Sequence, residues 1–181
     1  MKTLVETILS RKLHDPKVII YKWLDEYGIK NYTLDDKGEI DVDGDVDLSY
    51  RGLKEFPSYI QFGTVKGGFE CYYNNLTSLR GCPRVVKKSF YCHNNNLLSL
   101  KGSPETVDED FDCSFNNLTT LEGAPKKVGG DFYCYNNKLT TLKGAPREVG
   151  GDFDCCDNGI LFTKEDVMKV CKVKRNIILE S

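Results

Sequence analysis

The sequence predicts a β-rich α+β solenoid of about six stacked coils, closed by helical N- and C-terminal caps and forming one domain. Three observations carry that reading. Cys71, Cys92, Cys113, Cys134 and Cys155 stand 21 residues apart. Around each of them the same residue types recur: Phe two before (Phe69, Phe90, Phe111, Phe132, Phe153), Asn three after (Asn74, Asn95, Asn116, Asn137, Asn158) and an aliphatic five after (Leu76, Leu97, Leu118, Leu139, Ile160). Proline returns at Pro83, Pro104, Pro125 and Pro146, which leaves no room for a full helix in each unit. So short a unit cannot bury its own apolar face, and neighbouring units must stack to enclose a common core.

The elements follow in order. In residues 1–30, Asp15-Pro16 opens a helix, with Asp as cap and Pro in the first turn, and Val18, Ile19, Trp23, Leu24 and Tyr27 form its apolar flank. Residues 31–44 read as a hairpin about Lys37-Gly38 that leads into the array. Coils fill 45–160, beginning with a degenerate one in which Val46 takes the Phe column, Leu48 the Cys column and Leu53 the first Leu column.

Within a coil, F-x-C alternates with period two, the mark of a short strand with Phe and Cys turned inward. The Asn that follows can bond turn backbone and bridge neighbouring coils. Leu79, Leu100, Leu121 and Leu142 with Val86, Val107, Val128 and Val149 line the remaining walls, glycines and prolines set corners, and the outer side is extended or turn-like. In residues 161–181, Thr163 with Asp166 resembles a capping box opening a helix through about 173.

Composition excludes several functions. Lys+Arg 25 against Asp+Glu 27 gives a net charge of -2, without the basic bias that collects phosphate backbones. No stretch approaches the length of apolar chain that spans a membrane, and the first residues lack an apolar targeting core, so a soluble, cytoplasmic chain is expected. Cysteines at one fixed interval signal packing rather than disulfide pairing; Cys82 falls where other coils carry Ser103, Ala124 or Ala145, another small-residue position. No C-x-x-C pair, Gly-rich phosphate loop or H-E-x-x-H is present, and neither His14 nor His93 sits in a catalytic context, so no metal site or cofactor is expected.

The phrases "GAPKKVGGDFYCYNNKLTTL" (123–142) and "GAPREVGGDFDCCDNGILFT" (144–163), with N-x-L-T-S-L at Asn74–Leu79, resemble the leucine-rich repeat superfamily, in particular the short repeats of phage-encoded and bacterial proteins. The resemblance covers about 115 of the 181 residues. It implies a right-handed array whose outward strand positions form a concave binding surface. Bacterial effector relatives attach a catalytic ligase domain after the repeats; about 20 residues follow Ile160 here, so that activity is not implied.

Taking the residues one before and one, three and four after the Phe column gives that surface in six rows. They are Asp45, Asp47, Ser49, Tyr50; Gly68, Glu70, Tyr72, Tyr73; Ser89, Tyr91, His93, Asn94; Asp110, Asp112, Ser114, Phe115; Asp131, Tyr133, Tyr135, Asn136; and Asp152, Asp154, Cys156, Asp157. Nine of these are acidic and none is Lys or Arg, where overall composition predicts about 4 acids and about 3 bases. Glu70, Tyr72, Tyr73, Tyr91, His93, Asp110, Asp112, Phe115, Asp131, Tyr133, Tyr135, Asp152 and Asp154 are the candidate partner-binding residues. The bases Arg84, Lys87, Lys88, Lys126, Lys127, Lys143 and Arg147 fall on the loops behind the strands.

The expected function is therefore non-catalytic binding of a basic protein surface or peptide. Stacked carboxylates such as Asp110, Asp131 and Asp152 approach the glycosidase separation of about 5 Å, but repetition creates such pairs automatically and an open face cannot raise one pKa selectively. Two alternatives remain. "DVDGDVD" (41–47), if one strand, aligns four Asp side chains that can hold Ca²⁺, so the chain is alternatively a small-ligand or Ca²⁺-binding protein. The resemblance separately suggests a phage-encoded inhibitor of a host factor or defence protein, acting in the host cytoplasm.

Overall fold

A computed structural model describes residues 17–180; the helix start expected at Asp15-Pro16, and His14, lie outside them. Helix α1 (Lys17–Glu26) lays Ile20, Trp23 and Leu24 on the core, while Ile19, expected on that flank, is exposed. Trp23 packs near Tyr27, Phe56 and Phe62, so the helix covers the first end of the array. It stops at Gly28, whose φ of 68° lets the Ile29 amide turn back to the Leu24 carbonyl.

Two sheets run the length of the molecule. The first contains β1 (Tyr32–Leu34), β2 (Ile40–Val42), β4 (Phe62–Val65), β6 (Val85–Val86), β8 (Thr106–Val107), β10 (Lys127–Val128), β12 (Glu148–Val149) and β14 (Lys172–Val173), in that order. The second contains β3 (Val46–Asp47), β5 (Phe69–Glu70), β7 (Phe90–Tyr91), β9 (Phe111–Asp112), β11 (Phe132–Tyr133), β13 (Phe153–Asp154) and β15 (Ile177–Ile178). Among the described residues only β1 and β2 pair antiparallel, forming the expected hairpin, in which Asp35 Oδ1 accepts the amides of Lys37 and Glu39. All other pairs are parallel, with Val over Val in one sheet and Phe over Phe in the other.

Each coil therefore crosses from a valine strand to a phenylalanine strand over a tight corner. At one corner a Cβ on Gly150 would lie 1.9 Å from the Gly129 carbonyl oxygen, so only glycine fits that backbone path. Inside, the phenylalanines stack with ring centroids 5.6, 5.4 and 5.5 Å apart from Phe69 to Phe132. The cysteines of the repeat pack beside them, buried and unpaired as thiols. Burial pushes the thiols of Cys92, Cys113 and Cys134 well up from their usual value, so they stay protonated and inert.

The repeated asparagine ties each coil to the one before it. Asn116 Nδ2 donates to the carbonyls of Cys92, Cys113 and Ser114, and its Oδ1 accepts the Leu97 amide at 2.9 Å. Asn95 and Asn137 repeat this pattern one coil away on either side. A turn that no helix or sheet could satisfy is thus paired by one side-chain amide in each coil from Asn74 to Asn158, buried in all but the last.

The array runs further than the repeat columns suggested. Thr163 and Asp166 do form a capping box, but α2 (Lys164–Val170) ends at an extended Cys171, short of 173. Beyond it, β14 and β15 add a seventh coil, with Val173, Ile177 and Leu179 spaced as Val149, Phe153 and Cys155 are. The helix lengthens this last unit to 24 residues, which hides it from a search at 21. Ile160, assigned to the inner column, is 46% exposed; Phe162 and Val167 fill the core there instead.

Candidate functional site

The outer face of the second sheet carries the expected acidic and aromatic residues, though its strands are only two residues long. The residues one after the Phe column, Glu70, Tyr91, Asp112, Tyr133 and Asp154, are half-buried. Those four after it are not in strand at all: Tyr50, Tyr73, Asn94, Phe115, Asn136 and Asp157 all have φ between 48° and 56°. In the five coils from Tyr73 to Asp157 this left-handed residue directly precedes the asparagine that turns inward to bond backbone. Ser49, Ser89, Ser114 and Cys156, counted as outward, are buried.

The side chains gather into two clusters. Toward the first end, Tyr50 stacks on Tyr73 at 4.8 Å and Tyr72 on His93 at 4.7 Å, with Tyr50 and Tyr72 edge-on at 5.6 Å. Tyr91 meets His93 from the next column at 6.2 Å. Toward the other end, Tyr135 contacts Phe115 and Tyr133 edge-on. Tyr50 was not among the candidate residues, although its place in the degenerate first coil was readable.

The aspartates have structural duties that the sequence did not disclose. Asp110, Asp131 and Asp152 each use Oδ1 to accept an amide of the next coil, at 2.8, 2.7 and 2.8 Å. Asp112 Oδ1 accepts both the amide and the hydroxyl of Ser114, and Asp154 Oδ1 the amide of Cys156. Asp131 Oδ2 accepts the Tyr133 hydroxyl and Asp112 Oδ2 lies against His93, so these columns are ladders between coils as well as acidic surface.

Asp112 and His93 form a pair that spacing alone did not mark. His93 Nδ1 is 3.2 Å from Asp112 Oδ2, yet it is buried without an aligned hydrogen bond. Burial pushes the Asp112 carboxyl up from its ordinary value, against the Ser114 hydrogen bonds and His93, which lower it. Burial likewise pushes the imidazole down, with Asp112 opposing. Glu70 is raised by burial first and then by Asp47. Burial and the hydrogen bond to Asp131 raise the Tyr133 phenol.

Bases lie on the first sheet and the corners, in pairs: Arg84 with Glu39, Lys87 with Asp108, Lys127 with Glu148 and Lys143 with Glu122. Lys88 reaches Asp45, whose carboxyl is held down by the Gly68 amide and then by that lysine. By contrast, the ion-pair partner of Asp112 among the described residues is His93.

The 41–47 segment is not one strand. It leaves β2 at Val42, bends, and enters β3 at Val46, so its four Asp side chains do not share a strand face. Asp41 accepts the Thr64 amide, Asp43 pairs with Lys66, Asp45 accepts the Gly68 amide and Asp47 holds Ser49. Among the described residues no three His, Cys, Asp or Glu side chains converge as metal ligands, and no helix is long and apolar enough to cross a membrane.

Fold and surface together define a repeat protein of the β-solenoid class, built on a unit of about 21 residues. Comparison with family models, curated proteins and solved structures gave no significant match.

Proposed function

We propose that this protein is a non-catalytic interaction module that holds a basic protein surface or peptide on the outer face of its second sheet. One observation carries the reading: that face combines nine acids with exposed aromatic rings and no Lys or Arg, while the bases of the repeats are gathered on the opposite sheet and corners. Carboxylates steer a cationic partner into encounter, and aromatic rings supply contact area at low entropic cost. The asparagine ladder and the 21-residue unit also favour kinship with the leucine-rich repeats.

The test is capture from a cell extract with wild type beside a variant carrying Tyr91→Ala, Tyr133→Ala and Asp112→Lys. A partner held by the first and lost by the folded variant, with association slowed by added salt, supports the reading. Equal capture by both, or an association rate indifferent to salt, refutes it.

A further inference from the structure

Resting on that reading, we propose that the middle of the face is a seat for a single guanidinium, in which an arginine of the partner enters between Tyr91 and Tyr133 and pairs with Asp112. The column one after the phenylalanines runs Asp47, Glu70, Tyr91, Asp112, Tyr133, Asp154. Only at Asp112 does a carboxylate have tyrosine in the coils on both sides. Parallel strands about 4.8 Å apart place those two side chains roughly 10 Å from each other. A planar cation in contact with a ring face at about 3.5 to 4 Å fits such a gap.

Ser114, three after the Phe column in this coil, is small and fully buried, whereas the coils on either side carry His93 and Tyr135. The Tyr133 phenol is anchored on the corner side, donating to Asp131 Oδ2 at 2.8 Å. Asp112 Oδ1 is committed to Ser114, leaving Oδ2 to face the entrant with His93 alongside.

Chemistry selects arginine over lysine. The Asp112 side chain is 15% exposed, so a cation there meets a poorly hydrated carboxylate and gains more than at the surface. An ammonium must shed a tightly held water shell to enter, and it lacks a flat face to lay against two rings. A guanidinium is weakly hydrated, stacks on aromatics and offers paired donors to a carboxylate.

The experiment titrates the full chain with oligoarginine and oligolysine peptides, with NMR observation of the His93 imidazole. Oligoarginine is expected to bind about tenfold more tightly than oligolysine. Asp112→Asn should cost about tenfold in oligoarginine affinity, the scale of one charged hydrogen-bonded pair, and abolish the preference, while Asp154→Asn costs about twofold or less. The Asn side chain can still accept from Ser114, so the turn survives, and the melting temperature checks it. Tyr133→Leu should erode the preference independently. Bound arginine, a cation beside His93, should move the imidazole titration to lower pH in wild type and leave it unmoved in Asp112→Asn. If both peptides bind equally and the two Asn variants behave alike, the seat is overturned while the acidic face remains an interaction surface. If neither peptide binds, the seat and the broader reading both fall.

Discussion

Asn94, Asn95 and Asn96 are three identical residues in a row, and the structure assigns them three different costs. Asn95 is 7% exposed; its amide donates to the carbonyls of Cys71, Cys92 and His93, and its Oδ1 accepts the Leu76 amide at 2.9 Å. Asn95→Ala leaves that buried N–H without a partner, about 1 to 3 kcal/mol, and deprives the Cys71 carbonyl of its bridge, about 1 kcal/mol more. The expected loss is about 3 kcal/mol, or roughly 6 to 12 °C in Tm for a chain this long. Asn94 has φ 53°, and Ala there costs about 1 kcal/mol of backbone strain. Asn96 is exposed, and its contact with Leu76 is through its own backbone amide, so Ala there stays within about 0.5 kcal/mol. Urea unfolding followed both by Trp23 fluorescence and by far-ultraviolet circular dichroism measures all three and tests whether the array melts as one unit. A cost at Asn95 under about 0.5 kcal/mol, or one at Asn96 equal to it, refutes the ladder argument.

Phe111→Ala should cost about 3 to 5 kcal/mol in the same assay, because the ring is fully buried between Phe90 and Phe132, and a loss below about 1 kcal/mol would mean the stack is dispensable. Burial holds the His93 pKa below its usual 6.5, so the unfolded chain takes the proton first and stability falls as pH drops through that value. His93→Gln should therefore flatten the stability profile between about pH 7.5 and 5.5, and equal slopes in both proteins would contradict the burial argument. The raised Asp112 carboxyl acts in the opposite sense: the folded chain takes that proton first, which lifts stability as pH falls through its folded pKa toward 3.8. Phe115→Asn, placing in the fourth coil what Asn94 and Asn136 supply in its neighbours, should leave stability within about 1 kcal/mol of wild type and weaken partner binding. A drop of several kcal/mol would instead make that ring part of the fold.

Much of this architecture is legible because repetition averages out local ambiguity. Five copies of F-x-C-x-x-N establish the strand, its inward face and the amide bridge, where a single copy would suit several structures. Legibility ends where the repeat is broken by something with its own local rules. At the far end α2 follows helical capping, adds three residues and conceals the coil of Val173, Ile177 and Leu179. On the surface, alternation identified which residues face outward but not how far each is sunk. Ser114 is fully buried, and the Asp112–His93 pair lies between coils, at a spacing of 19 residues that only the stacked register brings to 3.2 Å. The aspartate ladder was equally hidden, since an Asp that bonds the next coil and one that merely faces water look the same in sequence.

The position four after the Phe column separates what the fold needs from what the surface is for. Its backbone is left-handed in all six coils from Tyr50 to Asp157, a conformation suited to Gly, Asn or Asp. Asn94, Asn136 and Asp157 comply; Tyr50, Tyr73 and Phe115 do not, at about 1 kcal/mol each. The Tyr50–Tyr73 stack and the Phe115–Tyr135 contact offset part of that, at about 0.5 to 1.5 kcal/mol per pair. Little comes back from burial, since the three rings are 67%, 49% and 44% exposed while every ring of the Phe column is fully covered. Asparagine in the neighbouring coils demonstrates that the turn closes without them. Aromatic residues placed on an unfavourable backbone, in water, on a face whose outward positions hold nine acids and no Lys or Arg, are poorly explained by stability and well explained by a partner that covers them.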